Sequence, residues 1–162
     1  MRNALFVLPL VLFCACSKPE PPRITPYSAR VSSVSPTGLG LSLELDVENR
    51  NPFPLVVREV TGKMKIGGAE VGSADSKPDG NIPARGTARV PANLSLRWTN
   101  LAALAPLAAS KQPVPYAFDG VAKVGGEKLN VDVPFTAKGE LSQEQVVQAG
   151  LRGLGGLIPV LP

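Results

Sequence analysis

The sequence predicts an all-β protein built as one antiparallel β-sandwich, and three observations lead to this prediction. A chain of 162 residues has room for one ordinary domain. Hydrophobic residues make up 44% of the chain, which is enough for a substantial core. Successive segments alternate apolar and polar residues with a period of two, and stretches rich in glycine or proline separate them. Such a pattern is typical of half-buried strands joined by turns.

Residues 1–15 predict a signal peptide. After a positively charged start, the apolar run from Ala4 to Phe13 is too short to span a bilayer. Ala15 stands directly before Cys16, and this arrangement resembles the bacterial lipobox, although Phe13 and Cys14 replace its usual leucine and small residue. The resemblance implies that Cys16 is acylated and becomes the first residue of the mature chain. The alternative is an ordinary cleaved signal peptide whose apolar run happens to contain cysteines.

Residues 16–27 predict a tether between the lipid anchor and the folded domain. The stretch SKPEPPRITP is rich in proline and has no apolar period, which favours an extended chain reaching about 30 Å at roughly 3.1 Å per residue. The resemblance to bacterial lipoproteins implies two or three acyl chains, which anchor stably where a single chain binds weakly. In that family, a serine such as Ser17 after the cysteine implies the outer membrane, facing the periplasm in a Gram-negative host.

Residues 28–140 contain the predicted strands. The clearest strand alternates strictly from Leu39 to Val47, and the stretch NRNPFP then breaks it. Four similar segments follow at residues 60–66, 90–98, 114–124 and 129–137, and a weaker one precedes them at residues 29–34. Pro91 places its strand, or at least the first residues of that strand, at a sheet edge. Six or seven such strands predict two packed sheets of the immunoglobulin/fibronectin-III type.

Two helical segments interrupt or follow these strands. Residues 99–107 predict a short helical connection, with a capping residue before it and Pro106 limiting its length. Within residues 141–162, a capping box at Ser142 predicts a helix that runs to about Leu154. The last residues, 157–162, form an apolar tail that we expect either to pack on the domain or to be irregular.

The composition argues against several classes of function. The chain contains no histidine, and both cysteines lie within residues 1–16, so the domain lacks the usual general base and any thiol chemistry. The net charge of +4 is weak and scattered, which argues against nucleic-acid binding. Asp75, Asp79 and Asp119 are the only loosely placed acidic candidates, and they form no recognisable motif. We therefore predict no catalytic residue, no cofactor and no metal, and we assign the strand aromatics, including Trp98, to the core.

The order of these features resembles the WHy domain, the fold of the group 2 late embryogenesis abundant (LEA) proteins. The alternating strand LSLELDVENR runs into NPFPL, a strand ending in a glycine turn follows, and IPARG then precedes the next strand. The similarity covers roughly residues 28–139. It implies a non-catalytic protein of water stress or envelope stress. The motif residues that it singles out have an expected structural role: Asn51, Pro52, Phe53, Ile82, Pro83 and Gly86.

Two functional hypotheses follow from this reading. The first is a lipid-anchored domain that protects proteins or membrane surfaces when water is scarce. The second is a lipoprotein that docks on one specific assembly of the cell envelope, through a sheet edge or the tail at residues 157–162.

Overall fold

The computed structural model describes residues 18–100, 102, 112–142, 144 and 148. Eight strands account for most of them: β1 (Arg23–Ser35), β2 (Gly38–Asn49), β3 (Leu55–Ile66), β4 (Ala69–Ser76), β5 (Gly80–Ile82), β6 (Gly86–Trp98), β7 (Val114–Gly125) and β8 (Asn130–Leu141).

These strands form one antiparallel sheet in the order β1-β2-β6-β4-β3-β7-β8, with β5 paired to β3. The sheet curls until its edge strands, β1 and β8, lie beside each other. Across this seam the Tyr116 hydroxyl donates a hydrogen bond of 2.9 Å to the Ala29 carbonyl. The all-β prediction is confirmed. The immunoglobulin/fibronectin-III-like sandwich is wrong, because the fold is a single sheet curled into a nearly closed barrel.

Strand β6 connects what the sequence analysis treated as two separate layers. It pairs with β2 along its length, from Gly86 to Arg97, and its last four residues also pair with β4. Long strands twist and coil, so one strand can pass from one side of a core to the other without a break in the sheet. Alternation assigns residues to faces, but it does not reveal which strands are paired.

The position of Pro91 agrees with the edge prediction for the first residues of its strand. Pro91 pairs with Glu44 of β2, whereas the ladder between β6 and β4 begins only at Ser95. At Pro91, β6 pairs with β2 and not with β4, so the N–H that proline lacks is not needed for a hydrogen bond to a second strand.

The amino-terminal strand is longer than the alternation suggested. Strand β1 begins at Arg23, and Pro26 pairs with Leu45 inside the sheet. The predicted tether therefore extends too far, because its last five residues, 23–27, belong to β1. Two further strands, β4 and β5, were not separated in the prediction: β4 is rich in small residues, and β5 has only three residues.

The core contains the residues that the alternation assigned to the inner face. Every inward position of β2 from Leu39 to Val47 is buried. The rings of Phe118 and Phe135 meet at a centroid distance of 6.1 Å. Gly120 leaves room for this contact, because a Cβ atom there would lie 2.4 Å from the Phe135 ring. Trp98 is half-buried against the core, and its indole N–H donates to the Ser35 carbonyl at 2.9 Å.

Several predictions fall on residues that the structure does not describe. The signal peptide, Cys16 and the tail at residues 157–162 lie outside the described residues, as do most residues of the two predicted helices. Among the described residues, no helix combines the length and the apolar character needed to cross a membrane.

Candidate functional site

A pair of buried asparagines lies at one end of the barrel. We call this end the turn end, because it carries the connections at residues 50–54, 83–85 and 126–129. Asn49 continues the inward register of Leu45 and Val47, so a polar side chain occupies a position where the pattern expects an apolar one. Asn49 is 1% exposed and Asn51 is 3% exposed. Buried amides are stable only when their hydrogen bonds are satisfied, so these two side chains must have specific partners.

Asn49 holds the two turns together. Its side-chain amide donates to the carbonyl of Phe53 at 2.8 Å and to the carbonyl of Pro83 at 3.1 Å. Its side-chain oxygen accepts hydrogen bonds from the backbone N–H and the side-chain amide of Asn51, each at 3.0 Å. One side chain thus joins the NPFP turn to the IPARG turn, which lies about thirty residues further along the chain.

Asn51 binds the segment that precedes β1. Its side-chain oxygen accepts from the Glu20 N–H at 2.8 Å, and its side-chain amide donates to the Glu20 carbonyl at 2.8 Å. The carbonyl of Asn51 accepts from the Arg85 N–H at 2.9 Å. Pro22, two residues after Glu20, is buried. We call the two hydrogen bonds between Asn51 and Glu20 the tether clamp.

The predicted motif residues gather around this network. Ile82 is fully buried, Phe53 packs partly buried against the core, and Pro52 is exposed in the turn. Pro83 contributes its carbonyl, as described, and packs against Gly86, where a Cβ atom would lie 2.7 Å from the proline ring. The structure therefore brings the two sequence motifs together around Asn49.

Sequence reasoning missed three members of the network. Asn49 carried a usable signal, because it sits on the inner face of an otherwise apolar strand. Glu20 carried none, since it contributes only backbone atoms. Arg85 adopts a left-handed conformation with φ of 50°, although the adjacent residue is a glycine and left-handed backbone favours glycine.

The outer face of the barrel carries a set of ion pairs. Arg89 of β6 donates to both carboxylate oxygens of Asp46 on β2, at 2.8 and 3.2 Å. The Arg89 guanidinium also lies 3.4 Å from the ring centroid of Tyr27, a cation–π contact. The hydrogen bond from Arg89 holds the pKa of Asp46 below its ordinary value.

Asp119, one of the acidic residues considered above, also belongs to this outer face. It accepts from Lys65 at 2.8 Å and from the Thr136 hydroxyl at 3.1 Å, and these hydrogen bonds lower its pKa. A low pKa keeps the carboxylate ionised and makes it a weak general base. Within the described part of the chain, no three acidic, cysteine or histidine side chains come together as metal ligands would.

An open groove of about 610 Å³ runs over the outer face between β3, β7 and β8. Two of its cations already have partners: Lys123 pairs with Glu59 at 2.7 Å, and Arg58 donates to Asn130 at 3.1 Å. The groove therefore offers an incoming ligand side chains that are largely engaged with each other.

A family model of late embryogenesis abundant proteins, LEA_2, matches residues 44–139. The chain belongs to this family. The LEA_2 range includes both turns and both buried asparagines, whereas Glu20 and the whole of β1 precede it. The tether clamp thus fastens the LEA_2 domain to a segment outside the family match. No curated protein sequence matches the chain.

Solved structures resemble this LEA_2 chain in fold. A solution structure of a protein from Arabidopsis thaliana superposes with a TM-score of 0.62 at 13% identity, covering 83% of this chain and 89% of its own. A solution structure of a putative late embryogenesis abundant protein gives 0.54 at 12% identity, covering 77% and 74%. A crystal structure of a protein from Archaeoglobus fulgidus gives 0.53 at 12% identity, covering 78% and 98%. The TM-scores, all above 0.5, support a common fold.

Proposed function

We propose that this LEA_2 chain is a bacterial lipoprotein, anchored through Cys16, whose non-catalytic domain protects proteins or membrane surfaces of the cell envelope during water loss. The observation that carries the proposal is the family membership, since the LEA resemblance implies a role in water stress. The features of the amino-terminal sequence support the anchor. The surface and the core of the barrel supply a physical basis for protection.

The outer face suits a protein that must keep its fold while water is removed. Among the described residues, cross-strand ion pairs include Arg89–Asp46, Lys65–Asp119 and Lys123–Glu59. Exposed pairs contribute little in dilute solution, because water screens them. Their attraction grows as the surrounding dielectric constant falls, so drying strengthens the contacts that hold neighbouring strands together.

The apolar residues of the barrel are well covered. Of the described large hydrophobic side chains, Tyr27 is the exposed one, at 59%, and Arg89 stacks on its ring. A surface with little apolar area resists self-association as the protein is concentrated. The domain can therefore stay hydrated and unassociated, and it can keep other molecules apart as water is removed.

Drying and rehydrating a labile enzyme tests the protective role. The chain from residue 17 onward is expected to raise the recovered activity above that obtained with an equal mass of an unrelated small β-sandwich. Equal recovery with the two proteins would contradict general protection.

A matched pair of variants tests the contribution of the ion pairs. One variant neutralises three paired carboxylates, and the other neutralises three carboxylates outside the described ion pairs. The first variant combines Asp46→Asn, Glu59→Gln and Asp119→Asn. The second variant combines Asp79→Asn, Glu127→Gln and Glu140→Gln and leaves Asp119 unchanged. We expect only the first variant to protect the enzyme less well than the wild type.

The anchor is tested by the mass of the protein recovered from bacterial membranes. We expect the mature chain to begin at Cys16 and to carry the added mass of its acyl groups. Replacement of Cys16 by serine should release the protein from the membrane fraction. A chain of unmodified mass that is soluble after export would show an ordinary cleaved signal peptide instead.

The seam between β1 and β8 favours a second function, specific docking on an envelope assembly. These two strands are the edges of the sheet, and an edge strand can pair with a strand from a partner. A photo-crosslinker at Lys138 on β8 should then capture one defined protein, whereas the same group at Lys63 on the interior strand β3 should not. Identical capture profiles at the two positions would argue against docking at the seam.

A further inference from the structure

We propose that the turn end of the barrel faces the membrane and is held against the phospholipid headgroups by the tether clamp. This inference rests on the proposed anchor at Cys16. It adds an interaction surface to that proposal, because it states which end of the domain meets the lipid and why.

The first step is the fixed position of Glu20. Both backbone polar groups of this residue are bound by the side chain of Asn51, each at 2.8 Å. Asn51 is itself held by Asn49. Glu20 is therefore attached to the buried network at the turn end, and it moves with the domain.

The second step is the length of chain between the anchor and this point. Three residues, 17–19, separate Cys16 from Glu20. Four residue steps reach at most about 14 Å when fully extended. Without the clamp the free segment would run to the start of β1 at Arg23, which is seven steps or at most about 25 Å, so the clamp shortens the linker between the anchor and the domain by about 10 Å.

The third step is the size of the barrel. Strand β2 has 12 residues and runs from the turn at residues 36–37 to the turn end. At about 3.3 Å per residue, it spans about 40 Å. The linker from Cys16 to Glu20, at most about 14 Å long, keeps the turn end close to the bilayer. The opposite end of the barrel lies much further away.

The chemistry of the turn end suits contact with headgroup phosphates. Arg85 is exposed at the tip of its turn, and Lys18 is exposed before the clamp. Neither belongs to the described ion pairs. A guanidinium binds phosphate through paired hydrogen bonds. The strained φ of Arg85 is the kind of local cost that is often associated with a binding role.

The experiment measures the distance of each end from the lipid surface. The acylated full-length protein is purified from membranes and placed in vesicles of phosphatidylethanolamine and phosphatidylglycerol that contain a nickel-chelating lipid. A nitroxide is attached at Ala84→Cys in the turn end or at Thr37→Cys in the opposite turn, both exposed positions. In the acylated mature chain the introduced cysteine is the only free thiol, because Cys14 has been removed and Cys16 is modified.

We expect the nickel ions at the lipid surface to enhance the spin relaxation of the nitroxide several-fold more at position 84 than at position 37. Insertion of eight Gly/Ser residues between Ser17 and Lys18 leaves the domain unchanged and lengthens the linker from Cys16 to Glu20 by about 15 Å. The enhancement at position 84 should then fall towards that at position 37. In Arg85→Gln, the enhancement at position 84 should fall more in vesicles with phosphatidylglycerol, whose phosphate charge is uncompensated, than in vesicles without it.

Two results would overturn the inference in different ways. Equal enhancement at the two positions in an acylated protein would overturn the orientation and leave the anchor standing. A recovered protein without acyl mass would overturn the anchor and the orientation together. The insertion variant tests the length of the linker without changing any residue of the buried network.

Discussion

Asn49 and Asn51 show how two polar side chains can organise one end of an otherwise apolar core. Together they satisfy backbone groups from Glu20, Phe53 and Pro83, which belong to three separate segments. An apolar residue at position 49 would fill the space but would leave carbonyls without donors. The stability of this end therefore depends on amide geometry more than on side-chain volume.

Replacement of Asn49 by alanine is expected to lower the free energy of unfolding by about 3 kcal/mol. The variant loses the donor of two hydrogen bonds to carbonyls and the acceptor of two hydrogen bonds from Asn51, four in all, and each lost bond costs roughly 0.5–1 kcal/mol. Urea unfolding measures the change. Asn93→Ala is the matched control, because Asn93 is exposed and accepts one bond from Ser42; it should change stability by less than about 0.5 kcal/mol. Equal effects of the two changes would contradict the structural role of the buried pair.

Replacement of Arg85 by glycine is expected to stabilise the domain. The left-handed conformation of Arg85, with φ of 50°, is strained for a residue with a side chain. Removal of the strain stabilises the folded state by about 1–2 kcal/mol. The greater flexibility of glycine in the unfolded chain offsets about half of this, so the free energy of unfolding should rise by about 0.5–1 kcal/mol. Thermal and urea unfolding measure it. Arg85→Ala keeps the strain and removes the charge, so it should show no such gain, and a gain in both variants would refute the strain argument.

At the scale of elements, the seam between β1 and β8 is the place where the barrel could open. Tyr116 lies on β7, and its hydroxyl reaches across to the Ala29 carbonyl of β1. Burial raises the pKa of Tyr116, so the phenol keeps its proton to a higher pH in the folded state than in the unfolded state. The contribution of this group to stability is therefore complete below the unfolded pKa of about 10, and it is lost as the pH rises through the folded value.

The variant Tyr116→Phe is expected to lose about 1 kcal/mol of stability at neutral pH, because the Ala29 carbonyl loses its donor. The same variant should lose less stability than the wild type between pH 9 and pH 11, since the phenol no longer ionises. Urea unfolding at several pH values measures both effects. Tyr27→Phe is the control, because Tyr27 is exposed. If the free energy of unfolding of Tyr116→Phe falls with rising pH as steeply as that of the wild type, ionisation of this phenol does not limit stability at high pH.

The elements also show which parts of the structure the sequence could predict. Alternation placed Leu39 to Val47 on the inner face correctly, because the side-chain period of a strand is two. It could not predict that β6 pairs with both β2 and β4, since pairing depends on how long strands coil in space. The motif residues were identified through resemblance, and their joint attachment to Asn49 became visible only in the fold. The clamp on Glu20 uses backbone atoms, so no residue type could reveal it.

At the scale of the whole molecule, the charges of the outer face determine the response to acid. Hydrogen bonds from basic partners lower the pKa of Asp46, Glu48, Glu59 and Asp119. A carboxyl group whose pKa is lower in the folded state stabilises the fold above its unfolded pKa. That contribution is lost as the pH falls through the folded value. The chain has no histidine, so nothing comparable titrates between pH 5 and pH 8.

We therefore expect the melting temperature to be nearly constant from about pH 5 to pH 9 and to fall below about pH 4, where unfolded carboxyl groups titrate. Asp119→Asn should reduce the steepness of this acid fall, because it removes one of the carboxylates that must be protonated. Glu140→Gln, which changes an exposed carboxylate outside the described ion pairs, should leave the steepness as it is. Calorimetry or circular dichroism between pH 2 and pH 9 measures the profile. A fall that begins near pH 6, or an equal slope in Asp119→Asn and the wild type, would mean that the ion pairs of the outer face do not set the acid stability of this barrel.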